Sequence, residues 1–422
     1  MYRRVPLDDT VLLANSDRLK VINSERLKVI KQSSRVCLPA PCDKLEAYSG
    51  FIPVDNESDS SYLFFLHIKS DSESYQKPLL LWTQGGPWKS SLYSQFLENG
   101  PLGINAMGER YYRDHSLIKD FNVIYLDQPV GSGYSFDDNG RYPATLDQAS
   151  EQVMTFLRRF LRIFSEYHRR DLYIAGESYG ARSAAGVAYK VLKKTKQINV
   201  ELKGIMLGVG FVFPLLDIID STDYLYYSGL LNDFGHTTLA GWFNMIRALV
   251  DKGDYSKAAE EHSKTVLNMA PAETQTIFQS LTGFQHHGSI ARPQEPEEAR
   301  QYMDYANSPE FKKIIHVNIS RILDSARPEL TKQLGSGDFF VDIERKLEFL
   351  LDRTPILFYT AQYDAVFPEV NIEECFKKLR WRVVLHITSE GFVDQVPRCV
   401  HNHRRNQLRT ESPSTNYVCA AE

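Results

Sequence analysis

The pentapeptide Gly176-Glu177-Ser178-Tyr179-Gly180 follows the apolar run Leu172-Tyr173-Ile174-Ala175. It leads into Ala181-Arg182-Ser183-Ala184-Ala185-Gly186-Val187-Ala188, which is small and helix-compatible. A buried strand that turns sharply through G-x-S-x-G into a helix leaves few architectures open. The flanking glycines permit a strained turn that lifts the serine hydroxyl above the C-terminal end of the strand. Such a turn belongs in a mostly parallel sheet with helices on both faces, and the rest of the chain reads that way.

Tyr62 to Leu66, Pro78 to Gln84 and Asn122 to Asp127 are short apolar runs bounded by turn residues, as expected of strands buried on both faces. Thr145-Leu146-Asp147-Gln148 reads as a capping box. The apolar positions that follow, Val153, Phe156, Leu157, Phe160, Leu161 and Phe164, step by three and four and predict an amphipathic helix. That helix lies between the run at Asn122 and the one at Asp171, which is the βαβ alternation of a parallel sheet. Gly204 to Phe211 and Pro355 to Thr360 supply two later strands.

The chain divides accordingly. Residues 1–36 form an appendage in which Arg-Leu-Lys-Val-Ile occurs at 18–22 and again at 26–30. Residues 37–212 hold the first part of the sheet and 347–396 the second. Between them, 213–346 lacks strand-like runs and is dominated by helical segments such as Ala240 to Val250 and Tyr255 to Met269. It reads as a helical insertion over the C-terminal edge of the sheet, where α/β folds place ligand sites. Residues 397–422 form a tail rich in Arg, Asn, Ser and Thr, unlike a closing strand and helix.

Composition excludes several functions. A net charge of −4 with no long basic stripe gives no footprint for nucleic acid. The longest apolar run, Gly204 to Leu216, contains Pro214, stops at Asp217 and is too short to span a bilayer. No H-E-x-x-H spacing appears and His286-His287 lies in a polar loop, so no metal or other cofactor is expected. The basic start Met1 to Pro6 has no apolar run after it, and so does not read as a signal peptide. Five cysteines and the sequons at Asn56 and Asn318 leave the compartment open.

A serine that transfers acyl groups needs a base, a group that orients the base, and an oxyanion hole. On this architecture the order is serine, then acid, then histidine. Asp364 lies just past the run Pro355 to Thr360, where the orienting acid belongs, and Gly85-Gly86 follows the run Leu79 to Trp82, where bare backbone can present an N–H to an oxyanion.

Four blocks carry a resemblance. Trp82-Thr83-Gln84-Gly85-Gly86-Pro87, Glu98-Asn99-Gly100-Pro101, Asp127-Gln128-Pro129-Val130-Gly131-Ser132-Gly133-Tyr134-Ser135-Phe136 and the elbow itself resemble the signature blocks of serine carboxypeptidases. Within that family the sequence is most similar to the vitellogenic-like members, in register from about Tyr48 to Val396. The resemblance implies an α/β-hydrolase fold, with Ser178 as nucleophile, Asp364 as orienting acid, and Gly86 and Tyr179 as oxyanion-hole donors. It implies that Gln84, Glu98 and Glu177 hold the terminal carboxylate of a peptide or protein substrate. Two carboxyl groups can bind a carboxylate only when protonated, so such a site works best in acid. The resemblance also implies a secreted or lysosomal setting, and a homodimer is one assembly it allows.

The sequence departs from the family pattern at several points. Trp88 stands where the family has glycine after Gly-Gly-Pro, which would strain a backbone that needs positive φ, and Lys89 follows it. The insertion lacks the family's cysteines, with Phe284 at one such position. The Gly-His-x-x-Pro block is not found: His401 and His403 come too early and lack the proline, and His386 sits in an apolar run, so no histidine is assigned as base. Three readings follow: a serine exopeptidase, an inactive homologue that binds peptides, and a carboxypeptidase-like acyltransferase. The retained Gln84, Glu98 and Glu177 favour the first.

Overall fold

The computed structural model describes residues 24–55, 60–266, 275–323 and 327–379, together with the backbone of 385–390, 399–400 and 416–421. The strands are β1 (Arg35–Val36), β2 (Ala47–Pro53), β3 (Ser61–Ile68), β4 (Leu79–Thr83), β5 (Leu102–Ile104), β6 (Arg110–Tyr112), β7 (Asn122–Leu126), β8 (Phe136–Asp137), β9 (Asp171–Glu177), β10 (Glu201–Gly208), β11 (Ile356–Ala361), β12 (Leu385–Glu390), β13 (Cys399–Val400) and β14 (Asn416–Ala421). β5 and β6 form a separate hairpin. The main sheet runs β1-β2-β3-β7-β4-β9-β10-β11-β14-β12-β13, with β8 paired to β3. From β7 to β12 every pairing is parallel, while β1, β2, β3 and β13 pair antiparallel at the two margins. This is the α/β-hydrolase fold that the elbow led us to expect.

The central strands are apolar throughout because helices cover both faces. β4 and β7 are buried at every position. The helix Leu146–Ile163 lays Val153, Phe156, Leu157, Phe160 and Leu161 on the sheet, all buried. Its Phe156, Phe160 and the following Phe164 meet Phe65 of β3 edge-on, with ring centroids 5.7–6.3 Å apart. The expected capping box is half formed. Thr145 Oγ1 accepts the N–H of Gln148, but the Gln148 side chain takes the N–H of Ala144 rather than that of Thr145.

Between β10 and β11 the described residues form helices and no strand. The expected helix from Tyr255 to Met269 ends at His262. The carbonyls of Lys264 and Thr265 accept the N–H groups of Ile277 and Phe278, which draws the chain off a helical path; Met269 lies outside the described residues. In the tail, the expectation of no closing strand is corrected. Asn416–Ala421 runs parallel between β11 and β12, and His386 lies on β12. Among the described residues no helix is long and apolar enough to cross a membrane.

Candidate active site

The parallel register brings the C-terminal ends of β4, β9 and β11 to one edge of the sheet. β9 lies between β4 and β10, with Thr83 opposite Gly176 and Gly208 opposite Glu177. Ser178 therefore emerges above the middle of the sheet. Its φ of 56° and ψ of −125° place it in the strained region that the elbow demands. Three backbone bonds hold the strain: Ser178 N–H donates to Gly208 O at 2.9 Å, and its carbonyl accepts from Ala181 and Phe211 at 3.0 and 3.2 Å.

Close packing explains the glycines of the elbow. A Cβ on Gly176 would stand 2.2 Å from the Gly180 carbonyl oxygen, and one on Gly180 2.2 Å from that of Thr83. Thr83 Oγ1 donates to the carbonyls of Ala175 and Gly180, tying β4 to both limbs of the turn. Past Thr83, the segment Gln84-Gly85-Gly86 runs directly against the serine. A Cβ on Gly85 would lie 3.1 Å from Ser178 Oγ.

The positive φ of this loop falls on Gly86, at 114°, and not on Trp88. The strain expected of Trp88 is absent, and its indole is buried in the core instead. Among the described residues the N–H groups of Gly86 and Tyr179 have no hydrogen-bond acceptor. Tyr179 opens the helix Tyr179–Lys193, so its N–H is one of the free donors of a helix start.

Gln84, Glu98 and Glu177 meet beside the serine. Gln84 Nε2 lies 3.1–3.2 Å from both oxygens of Glu98 and 3.1 Å from Glu177 Oε2, while Gln84 Oε1 accepts the N–H of Gly85. Burial, followed by the charge and hydrogen bond of Glu177, pushes the Glu98 carboxyl well above its usual range. Glu98 therefore holds its proton in mild acid.

Asp364 sits in the turn after β11. Its Oδ1 accepts the N–H groups of Val366 and Phe367 at 2.8 and 2.9 Å. Burial raises its pKa to about 7 against the pull of those two donors. Among the described residues no histidine hydrogen-bonds Ser178 or Asp364. His401 and His403 lie outside the described residues.

Two buried carboxylates brace the site, and the sequence did not single them out. Asp127 Oδ1 accepts from Ser90 Oγ and Ser91 N–H at 2.6 and 2.8 Å, and its Oδ2 accepts Tyr134 N–H at 2.8 Å. It thereby joins the block at 127–136 to the loop behind Gln84, and burial lifts its pKa to about 7. Asp338, from the insertion, accepts from Tyr179 Oη at 2.8 Å, Arg182 Nε at 2.7 Å and Leu146 N–H at 3.0 Å. The pair Arg182–Asp338 is almost wholly withdrawn from solvent. The aspartate of the block Asp127-Gln128-Pro129 was visible as a motif, but its partners are not local; Asp338 carried no signal at all.

The family model described as serine carboxypeptidase matches residues 39–404. The vitellogenic carboxypeptidase of Aedes aegypti is 29% identical over 324 residues, covering 76% of this chain and 68% of that protein. A probable serine carboxypeptidase of Homo sapiens is 26% identical over 347 residues, 82% of this chain and 72% of the relative. The crystal structure of a prohormone-processing carboxypeptidase from Saccharomyces cerevisiae superposes with a TM-score of 0.69 at 17% identity, over 93% of this chain and 91% of that one.

Proposed function

The chain belongs to the serine carboxypeptidase family, and from that premise we propose that Ser178, Asp364, Gly86 and Tyr179 carry the reaction and that Gln84, Glu98 and Glu177 select a free C-terminus. Ser178 Oγ attacks the carbonyl carbon of the last peptide bond. The N–H groups of Gly86 and Tyr179 receive the oxyanion, the C-terminal amino acid leaves, and water releases the acyl group from the serine. Asp364 orients the base that takes the serine proton. No histidine is assigned as that base, because the Gly-His-x-x-Pro block is not found and His401 and His403 come too early and lack its proline.

One observation carries the substrate reading: Gln84 Nε2 bridges two carboxyl groups, Glu98 and Glu177, one residue from the nucleophile. An unprotonated pair would repel a peptide carboxylate. A Glu98 that keeps its proton donates a hydrogen bond to it. The binding is thus present while Glu98 is protonated and is lost as pH rises through its raised value. Relatives named for vitellogenesis and for venom support a secreted or lysosomal setting, where mild acid is available.

The pH dependence gives the test. Glu98→Gln with Glu177→Gln is expected to flatten the fall in affinity for blocked dipeptides between acid and neutral pH, because an amide donates at any pH. With Ser178→Ala as the common background, so that no ligand is hydrolysed, protein that keeps both glutamates should lose roughly tenfold over that interval, on the order of one pKa unit of differential interaction. Titration calorimetry at both pH values reads it, and an unchanged pH dependence in the double variant would remove the pair from substrate recognition.

A further inference from the structure

The loop that carries Trp88 in place of the family's glycine, followed by Lys89, does more than close the oxyanion turn. Lys89 is exposed, and its N–H donates to Gly85 O at 3.1 Å, so the residue stands one turn from the segment that carries Gln84. Its ammonium lies 4.1 Å from the centroid of the Tyr93 ring and, among the described residues, makes no ion pair. Tyr93 immediately precedes the helical turn Ser94–Glu98, which brings Glu98 round to Gln84.

A wall from the insertion faces the same space. The segment after helix Ile277–Thr282 turns at Gly283 and closes on itself where Gln285 and His286 donate to Pro293 O. Ile290 N–H then donates to Tyr363 O, which ties this segment to the turn that carries Asp364. Electrostatics agree on who faces whom. The Lys89 charge opposes the rise at Glu98 and helps hold down His286 and His287, after burial, with His287 at about 3. Glu98, Glu177 and Glu295 all act on the Tyr93 hydroxyl.

We propose that Lys89, seated on Tyr93, is a specificity-determining residue that recognises an acidic side chain on the C-terminal residue of the substrate. A peptide whose terminal carboxylate rests on Gln84, Glu98 and Glu177 has its last side chain within reach of Tyr93 and of the Lys89 ammonium. In mild acid His287, at about 3, is neutral and Glu98 holds its proton, and burial lowers His286, so Lys89 supplies positive charge to that space, with the charge of Glu295 also felt at the Tyr93 hydroxyl. The lysine is a flexible point charge, suited to either an aspartate or a glutamate side chain.

The inference rests on the carboxylate site proposed above, and its test separates the two. Full-length Ser178→Ala protein is titrated calorimetrically with benzyloxycarbonyl-phenylalanyl-glutamate, -glutamine and -lysine, at a pH between the ordinary glutamate range and neutrality. The glutamate ligand should bind about three- to fivefold tighter than its neutral isostere glutamine, the range of a solvent-exposed ion pair. High salt should narrow that ratio. Lys89→Met should bring it to one, and Lys89→Glu should turn it in favour of lysine. A ratio of one with Lys89 present, a ratio indifferent to Lys89→Met, or tightest binding by the lysine ligand would each overturn the proposal while leaving the carboxylate site standing. Failure of all three ligands to bind would remove the carboxylate site, and this proposal with it.

Discussion

Replacing Ser178 with alanine is expected to lower turnover of blocked dipeptides by about 10⁴- to 10⁶-fold, the cost of removing the nucleophile of an acyl-transfer site. The effect should fall on kcat. The backbone that strains Ser178 is held by Gly208, Ala181 and Phe211 rather than by the hydroxyl, so alanine inherits the same turn. The oxyanion donors and the Gln84–Glu98–Glu177 cluster are untouched by the loss of Oγ, and slight catalysis over water should persist. The same substitution should abolish covalent labelling by an organophosphonate, a reagent that reports a serine activated by a base. Burst kinetics and intact-mass measurement check both. An Ser178→Ala protein that keeps even a tenth of wild-type kcat would place the nucleophile elsewhere.

A comparable effect on stability is expected at Asp338. Arg182 is fully buried, and Asp338 supplies its counter-charge through Oδ2 at 2.7 Å. Asp338→Ala leaves a guanidinium uncompensated in the core, which costs about 3–5 kcal/mol. Arg182 also donates to the carbonyls of Asp338 and Val341, and these bonds cannot neutralise it. The double replacement Arg182→Met with Asp338→Leu should recover a large part of the loss, since no charge then remains to be buried. Urea unfolding of the singles and the double closes the cycle. Since Asp338 also holds Tyr179 Oη, the single variant should lose activity even in conditions where it stays folded. A loss below about 1 kcal/mol for Asp338→Ala would show that the pair is not buried as described.

How much of this was legible in the chain depends on how local the cause was. The elbow, the buried strands and the helix Leu146–Ile163 follow from spacing within about twenty residues, and each appears where its pattern pointed. What failed was non-local. β14 has only six residues, after a polar stretch, and its place is set by two partners, β11 and β12, neither adjacent in sequence. The helix expected from Tyr255 stops at His262, and the carbonyls of Lys264 and Thr265 just beyond it are taken by N–H groups thirteen residues further on. Trp88 looked strained because the position was judged alone; the turn puts its positive φ on Gly86 and frees Trp88 to pack.

The candidate site shows the same division. Gln84, Gly86, Glu98, Glu177, Ser178 and Tyr179 sit in motifs, and the sheet brings them together because β4 and β9 are parallel neighbours in register. Asp364 was found by its position after a strand. Of the bracing residues only Asp127 lay in a motif: Arg182 and Asp338 pair across 156 positions, and Lys89 acquires meaning only from the Tyr93 ring beneath it.

Ser178 is proposed to act on peptides presented by a free C-terminal carboxylate. The most direct measurement is release of the last amino acid from a blocked dipeptide and from its C-terminal amide, at mildly acid pH, alongside phosphonate labelling of the same protein. The free acid should be hydrolysed far faster than the amide, the preference should weaken towards neutral pH, and the label should fall on Ser178. A folded protein that cleaves the amide as fast as the acid, or that releases no amino acid and takes no label at Ser178, would contradict it.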